Sequence, residues 1–342
     1  MKTKLLFLVM FFPIVMLAQL GGEHVYEFLS VPVSPRQAAL GGSAIGIYDG
    51  DISLTNENPA LFSEATDGKL GMQYINYISD VNFGYTSYAK HFKNIGIVGL
   101  GLQYMSGGDF RGFDENAVET GSFSTSEIAL NLSYAKSFDS VLCIGATVKP
   151  IYSKLESVNS LGLAMDVGIV YNSRKKPFTA ALVFNNMGTQ ITKYYDESAP
   201  IPFEIKAGIS TKLAHAPFRF SIVAHNLQDL DLTALQSNYP EPTNVNQVRD
   251  EQEEPELVDK IMRHMIFGVE FTPTKSFFVR GGFNYLRRQE LKLDEKPGMV
   301  GFSWGFGFKI KKLNFSYANV RYNFAGTSNN FAITTNINSF FN

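Results

Sequence analysis

The chain has 342 residues, 45% of them hydrophobic, 13% aromatic and only 18% charged, with a formal net charge of −2. So small a charge provides no field for gathering nucleic acid. A single cysteine, Cys143, excludes an internal disulfide framework, a zinc cluster and a Cys-x-x-Cys redox motif.

Lys2 and Lys4 precede an uncharged run from Leu5 to Leu17, and Ala18-Gln19 follows. Positive flank, short apolar core and small exit residue predict a secretory signal peptide over residues 1–18. The run is short for a spanning helix, which needs about 20 apolar residues. No cysteine follows it, so a lipid-anchored start is not expected. The exported chain is expected to carry 28 basic and 32 acidic residues, net −4.

Residues 19–68 are punctuated by Pro32, Pro35, Pro59 and Gly41-Gly42. One short strand is expected at Ala44–Tyr48. Otherwise the segment reads as an extension that enters or plugs the lumen of the barrel argued next.

From residue 69 onward apolar and polar residues alternate. Phe302, Trp304, Phe306 and Phe308 are interleaved with Ser303, Gly305, Gly307 and Lys309; Leu161, Leu163, Met165, Val167 and Ile169 with Gly162, Ala164, Asp166 and Gly168. A strand sends successive side chains to opposite faces, so each segment has one apolar face and one polar or glycine-rich face. Strands are predicted at 69–77, 81–91, 96–104, 127–137, 141–152, 160–171, 178–185, 203–213, 218–227, 265–271, 277–285, 301–310, 313–322 and 330–341.

Alternation alone fits a soluble sandwich or a membrane barrel. Charges recur on the polar face at Asp166, Glu204, Lys206, Arg219, Glu270 and Arg280. Tyr104, Tyr134, Tyr171 and Tyr317 are placed near strand ends, as in an aromatic girdle. The even-numbered connections are all short, whereas the long ones, 105–126, 186–202, 228–264 and 286–300, are all odd-numbered. A sandwich has no reason to sort its loops by parity. A 14-stranded antiparallel transmembrane β-barrel over residues 69–342 is therefore expected, in the outer membrane of a Gram-negative bacterium. Its termini would be periplasmic and its long loops extracellular. The amphipathic last strand, with Phe331, Ile333, Ile337 and Phe341 on one face, agrees with this.

Little here suggests chemistry. His225 is read on a strand's polar face near Asp229 and Asp231, but no serine stands in a nucleophile-elbow context, so no enzyme is expected. Asp49-Gly50-Asp51 and Asp229-Leu230-Asp231 do not fill a calcium-loop spacing and read as ordinary turn aspartates. No cofactor or metal is expected, and Cys143 reads as an inert lumenal thiol. The lumen charges, of both signs, suit mutual pairing in a filled interior. Gln73, Asn82, Thr86, Asn131 and Ser133 are read as facing inward, a poor lining for a greasy ligand.

The longest loop, 228–264, holds nine acids and three bases, a net of −6. On a rigid scaffold such a loop is a candidate dock for a surface partner. Tyr239, Leu257 and Ile261 are its candidate apolar anchors. Arg287 and Arg288 of the neighbouring loop are placed to order it or to extend the platform.

Ser34-Pro35-Arg36-Gln37-Ala38-Ala39-Leu40-Gly41-Gly42-Ser43-Ala44, followed by Asn58-Pro59-Ala60-Leu61, resembles the N-terminal signature of barrels related to the fatty-acid transporter FadL. Within that group the chain resembles the type IX secretion barrels of the PorV/PorQ group. Tyr26-Glu27-Phe28-Leu29, Asn185-Asn186-Met187-Gly188 and Val279-Arg280-Gly281-Gly282-Phe283-Asn284-Tyr285 also fit. The resemblance implies a FadL-like barrel that serves the type IX secretion system without being an enzyme. Such a protein holds a PorZ-like surface partner of the attachment complex, beside PorV carrying the sortase-like PorU, where cargo is joined to lipopolysaccharide. The wider FadL resemblance implies the rival reading, a channel for hydrophobic small molecules.

Overall fold

The computed structural model describes residues 24–341 apart from 79, 114–118, 140, 195–197, 234–255, 293–297 and 323–325. The expected signal peptide and the anchor Tyr239 lie outside the described residues.

Among the described residues, fourteen strands close into one antiparallel barrel. They are β1 (Lys69–Asn76), β2 (Asn82–Phe92), β3 (Gly96–Phe113), β4 (Glu119–Phe138), β5 (Leu142–Leu155), β6 (Val158–Asn172), β7 (Phe178–Thr192), β8 (Glu204–Lys212), β9 (Phe218–Ala224), β10 (Met265–Thr274), β11 (Phe277–Asn284), β12 (Phe302–Ile310), β13 (Leu313–Arg321) and β14 (Thr327–Asn336). Each pairs with its neighbours in the chain, and β1 closes on β14 with Lys69 opposite Asn336 and Asn76 opposite Asn329. Closure leaves no sheet edge unpaired.

The period-2 pattern sorts the two faces. On β6, Leu161, Leu163 and Met165 are exposed outward, whereas Ser160, Ala164 and Asp166 are buried inside. Leu100, Leu132, Trp304, Phe331 and Ile333 extend this exposed apolar surface around the wall. So much outward apolar area suits hydrocarbon, not water.

One end of the barrel holds the start of β1, the end of β14 and the connections 93–95, 139–141, 173–177, 213–217, 275–276 and 311–312. The opposite end holds the longer connections, including 225–264 and 285–301. One expected long loop, 105–126, is mostly strand, and another, 186–202, begins as strand. β3 and β4 continue beyond a register shift between Ser106 and Asp109, and β7 runs on to Thr192.

Three further expectations are corrected. On β2 the aromatics Phe83 and Tyr85 are buried in the lumen, so Asn82 and Thr86 face outward. An interior filled by protein accepts aromatic side chains there; Phe83 packs edge-on against Tyr77, with ring centroids 5.6 Å apart. β14 stops at Asn336, whose side chain accepts from Asn338 N at 2.9 Å, turning Ile337–Phe340 into a 3₁₀ turn. Ile337 and Phe341 therefore do not continue its alternation. Tyr104 and Tyr317 lie within β3 and β13, not at their ends.

Residues 24–68 lie inside the ring of strands. They form helix α1 (Pro35–Ala39) and 3₁₀ turns at Glu27–Ser30, Ile52–Leu54, Pro59–Leu61 and Glu64–Thr66, with no strand at Ala44–Tyr48. Leu40, Ile45, Ile47, Ile52, Leu54, Leu61 and Phe62 join Ala89, Ile97, Val170, Val183 and Val223 of the strands in one buried cluster. The hydrophobic core thus sits between the N-terminal segment and the inner wall.

Candidate functional site

The N-terminal segment is held locally by its own caps. Ser34 Oγ accepts from Arg36 N at 3.2 Å, and Pro35 occupies the first turn of α1, where its missing N–H costs nothing. Asn58 Oδ1 accepts from Ala60 N at 2.9 Å, while its amide donates to Ile45 O at 2.8 Å. Asn58, Pro59 and Ala60 thereby tie two stretches of the segment together. Gly41 and Gly42 end α1 at φ of +95° and +109°, a conformation that side-chain-bearing residues resist.

The inward glycines of the strands are the footprint of this segment. A Cβ at Gly282 would stand 2.1 Å from Gly41 N and 2.2 Å from Leu40 C. At Gly145 it would stand 2.4 Å from Pro59 C, and at Gly168 2.1 Å from Asn58 Oδ1. At Gly282 and Gly145 backbone meets backbone, so a side chain there would displace the segment; at Gly168 the capping side chain of Asn58 fills the space. The glycine-rich polar face was visible in the sequence; its meaning as a docking groove was not.

Two sets of buried charges join segment to wall, and a third lies within the wall itself. Arg36 donates Nε to Glu270 Oε1 and Nη2 to Glu270 Oε2, both at 2.8 Å, and Nη1 to Asp51 Oδ2 at 3.0 Å. Its Nη2 also meets Asp49 Oδ2 at 2.7 Å. Arg280 Nε reaches Glu270 Oε1 at 2.7 Å, and Arg219 Nη1 bridges Asp49 and Glu270. Three guanidiniums face three carboxylates, so the set is neutral. In the second set, Lys206 lies 3.4 Å from Glu57 of the segment and 3.0 Å from Glu204 of the wall. Glu57 also accepts from Ser43 Oγ and Ala44 N. In the third, Lys149 and Asp166 pair at 2.6 Å, with Asn186 bonded to both. Asp49 and Asp51 are thus occupied by arginine.

His225 lies just past β9, with Nδ1 at 3.6 Å from Glu204 Oε1, not beside Asp229 or Asp231. Asp231 instead accepts from Lys260 at 2.7 Å and from Thr233, and these bonds hold its carboxyl well below the usual range. Cys143 is buried against Phe62 O at 3.5 Å.

Among the described residues, cavities lie both above and below the segment. One, of about 560 Å³, lies towards the long-loop end. Phe28, Val31, Phe83, Met105 and Tyr322 give it an apolar wall, and Glu127, Lys206, His225 and Arg287 a polar one. The other, of about 850 Å³, opens at the short-turn end and is polar.

At the long-loop end two short helices meet: α2 (Leu257–Arg263) and α3 (Tyr285–Leu291). Asp259 accepts from Tyr285 Oη and from Arg263 Nε, each at 2.7 Å. Partial burial opposes ionisation of Asp259, but these two bonds outweigh it and lower its pKa. Leu257 (72%) and Ile261 (49%), with Val258 (66%), are exposed on α2. Arg287 turns inward, 4.7 Å above the Tyr322 ring, and Arg288 donates to Gly298 O and Val300 O within its own loop. The structure therefore brings Leu257 and Ile261 to one surface and commits the two arginines to intramolecular contacts.

Sequence reasoning missed Arg36 and Glu57. Only their place inside a conspicuous motif, beside a glycine-lined wall, marked them.

No family model and no curated protein sequence matches the chain. Solved structures do. The Ralstonia pickettii toluene transporter TbuX aligns over 90% of this chain and 99% of that chain, at 13% identity and a TM-score of 0.55. A deletion mutant of the TodX monoaromatic hydrocarbon channel aligns over 89% of this chain and 99% of its own, at 12% identity and a TM-score of 0.54. A Pseudomonas aeruginosa FadL homologue aligns over 89% of this chain and 98% of that chain, at 10% identity and a TM-score of 0.49. At such identities the likeness to TbuX and TodX establishes the barrel fold alone.

Proposed function

We propose that this chain is a non-enzymatic outer-membrane barrel, sealed by its own N-terminal segment, whose long-loop end holds a soluble surface partner. The observation that carries the reading is the neutral Arg36 network, which fastens the segment across the lumen to β9, β10 and β11. A wall and plug so joined make a rigid platform, and α2 presents Leu257, Val258 and Ile261 from it with nothing covering them among the described residues. Apolar anchors of this kind supply interface energy, whereas rim charges add little. The PorQ-like signature supports placing the platform in a type IX attachment complex, with a PorZ-like partner and PorV and PorU nearby. Deleting residues 236–256 should leave barrel assembly intact and release the partner into the medium. Retention of both the partner and all secreted cargo would refute the dock.

A second reading is favoured by the cavity of about 560 Å³ at the long-loop end, which is more apolar than polar. It is a channel or binding barrel for hydrophobic small molecules, and the toluene and monoaromatic hydrocarbon transport of the two similar barrels supports it. Whole-protein deletion separates the two. Loss of hydrophobic-nutrient uptake with cargo attachment unchanged selects the channel; loss of the surface partner selects the platform.

A further inference from the structure

The cavity at the short-turn end has a charge the rest of the molecule lacks. Nine basic and three acidic side chains line it, a net of +6 in a chain whose formal total is −2. The three acids, Asp49, Asp51 and Glu270, are already occupied by Arg36, Arg219 and Arg280. Lys69 and Lys312 donate to the backbone oxygens of Gly50 and Ser339. That leaves Lys212, Lys275, Lys309 and Lys311, all exposed, with no carboxylate in ion-pair range among the described residues. Lys212 and Lys309 sit on the inward registers of β8 and β12, so they point into the mouth and not to the lipid side.

Such a mouth attracts anions. Its chemistry also selects the kind. The lysines are point charges spread around the opening, without a free arginine fork for a compact phosphate. Between them Thr272, Asn314, Ser316 and Thr334 present hydroxyls and amides, the groups that satisfy a peptide backbone. At about 850 Å³ the space takes several residues of an extended chain. We propose that this cavity binds an extended acidic peptide segment of a partner protein. The site lies at the end opposite the α2 platform and stands whichever reading of the barrel's function holds.

The test uses the full-length protein in neutral detergent and a short fluorescein-labelled Glu-Ser repeat peptide, followed by anisotropy. Binding should weaken with added salt and be absent for the Gln-Ser analogue. The triple variant K212Q/K309Q/K311Q should bind about tenfold more weakly, as three exposed charge contacts allow. The double variant K175Q/K176Q, which removes turn lysines at the same end but outside the cavity, should bind as the parent does. Equal weakening by both variants would reduce the effect to general rim charge and overturn the proposal. So would displacement of the peptide by inorganic tripolyphosphate at concentrations similar to the peptide's own, or failure of the parent to bind the peptide at all.

Discussion

Replacing Arg36 with methionine keeps most of the side chain's length and removes its charge. The residue is 6% exposed and contacts Asp49, Asp51 and Glu270. Its loss leaves three carboxylates facing only Arg219 and Arg280, a buried excess of one negative charge. Breaking a buried pair in this way costs about 3–5 kcal/mol, because the orphaned charge keeps its desolvation penalty. The cost falls on the seated segment and not on the barrel wall, whose strand ladders are untouched. Transient release of residues 24–68 should therefore rise about a hundred-fold to several thousand-fold. Chymotrypsin reads this directly, since Phe28, Leu40 and Phe62 are sealed in the parent. Cleavage at those residues should accelerate accordingly, as long as reseating outpaces cutting. The double variant R36M/E270Q restores neutrality and should recover most of the protection. Equal cleavage of parent and R36M, or no recovery in the double variant, would refute the charge argument.

Three further outcomes follow from the geometry. Gly282→Val places a branched side chain where Leu40 and Gly41 backbone atoms already stand, and should expose the segment to the same protease at a cost of about 1–3 kcal/mol or more; unchanged cleavage would show that the groove yields. Cysteine at Ser106 should label on intact cells and cysteine at Ala216 should not; labelling at Ala216 alone would reverse the orientation. The hydrogen bonds to Asp259 lower its pKa, so the tie between α2 and α3 is fully present above the ordinary carboxylate range and is lost as pH falls through the lowered value. Proteolysis around residues 256–264 should increase on acidification below about pH 4, and D259N should show that susceptibility already at pH 7; equal susceptibility of parent and D259N at pH 7 would contradict it.

Strand number and the sorting of loops by end were legible because both follow from local alternation, which a closed barrel preserves at every strand. The filled interior was legible only in outline. Arg36 and Glu270 are 234 positions apart, so nothing local ties them. The same filling misled the reading of β2: Phe83 and Tyr85 look like lipid-facing residues until the segment inside gives them a partner. The hairpin of β3 and β4 was cut short because glycines and polar residues after Met105 read as loop, although backbone pairing resumes beyond a register shift. His225 was set beside Asp229 and Asp231 by sequence proximity; the chain turns away after β9, and Glu204 of the adjacent strand takes their place.

The sealed lumen is tested most directly by planar-bilayer recording of the purified intact protein. The account predicts a quiet baseline without stable conductance steps, because residues 24–68 close the barrel and their charges are paired to its wall. Large, persistent openings in the intact protein would contradict it.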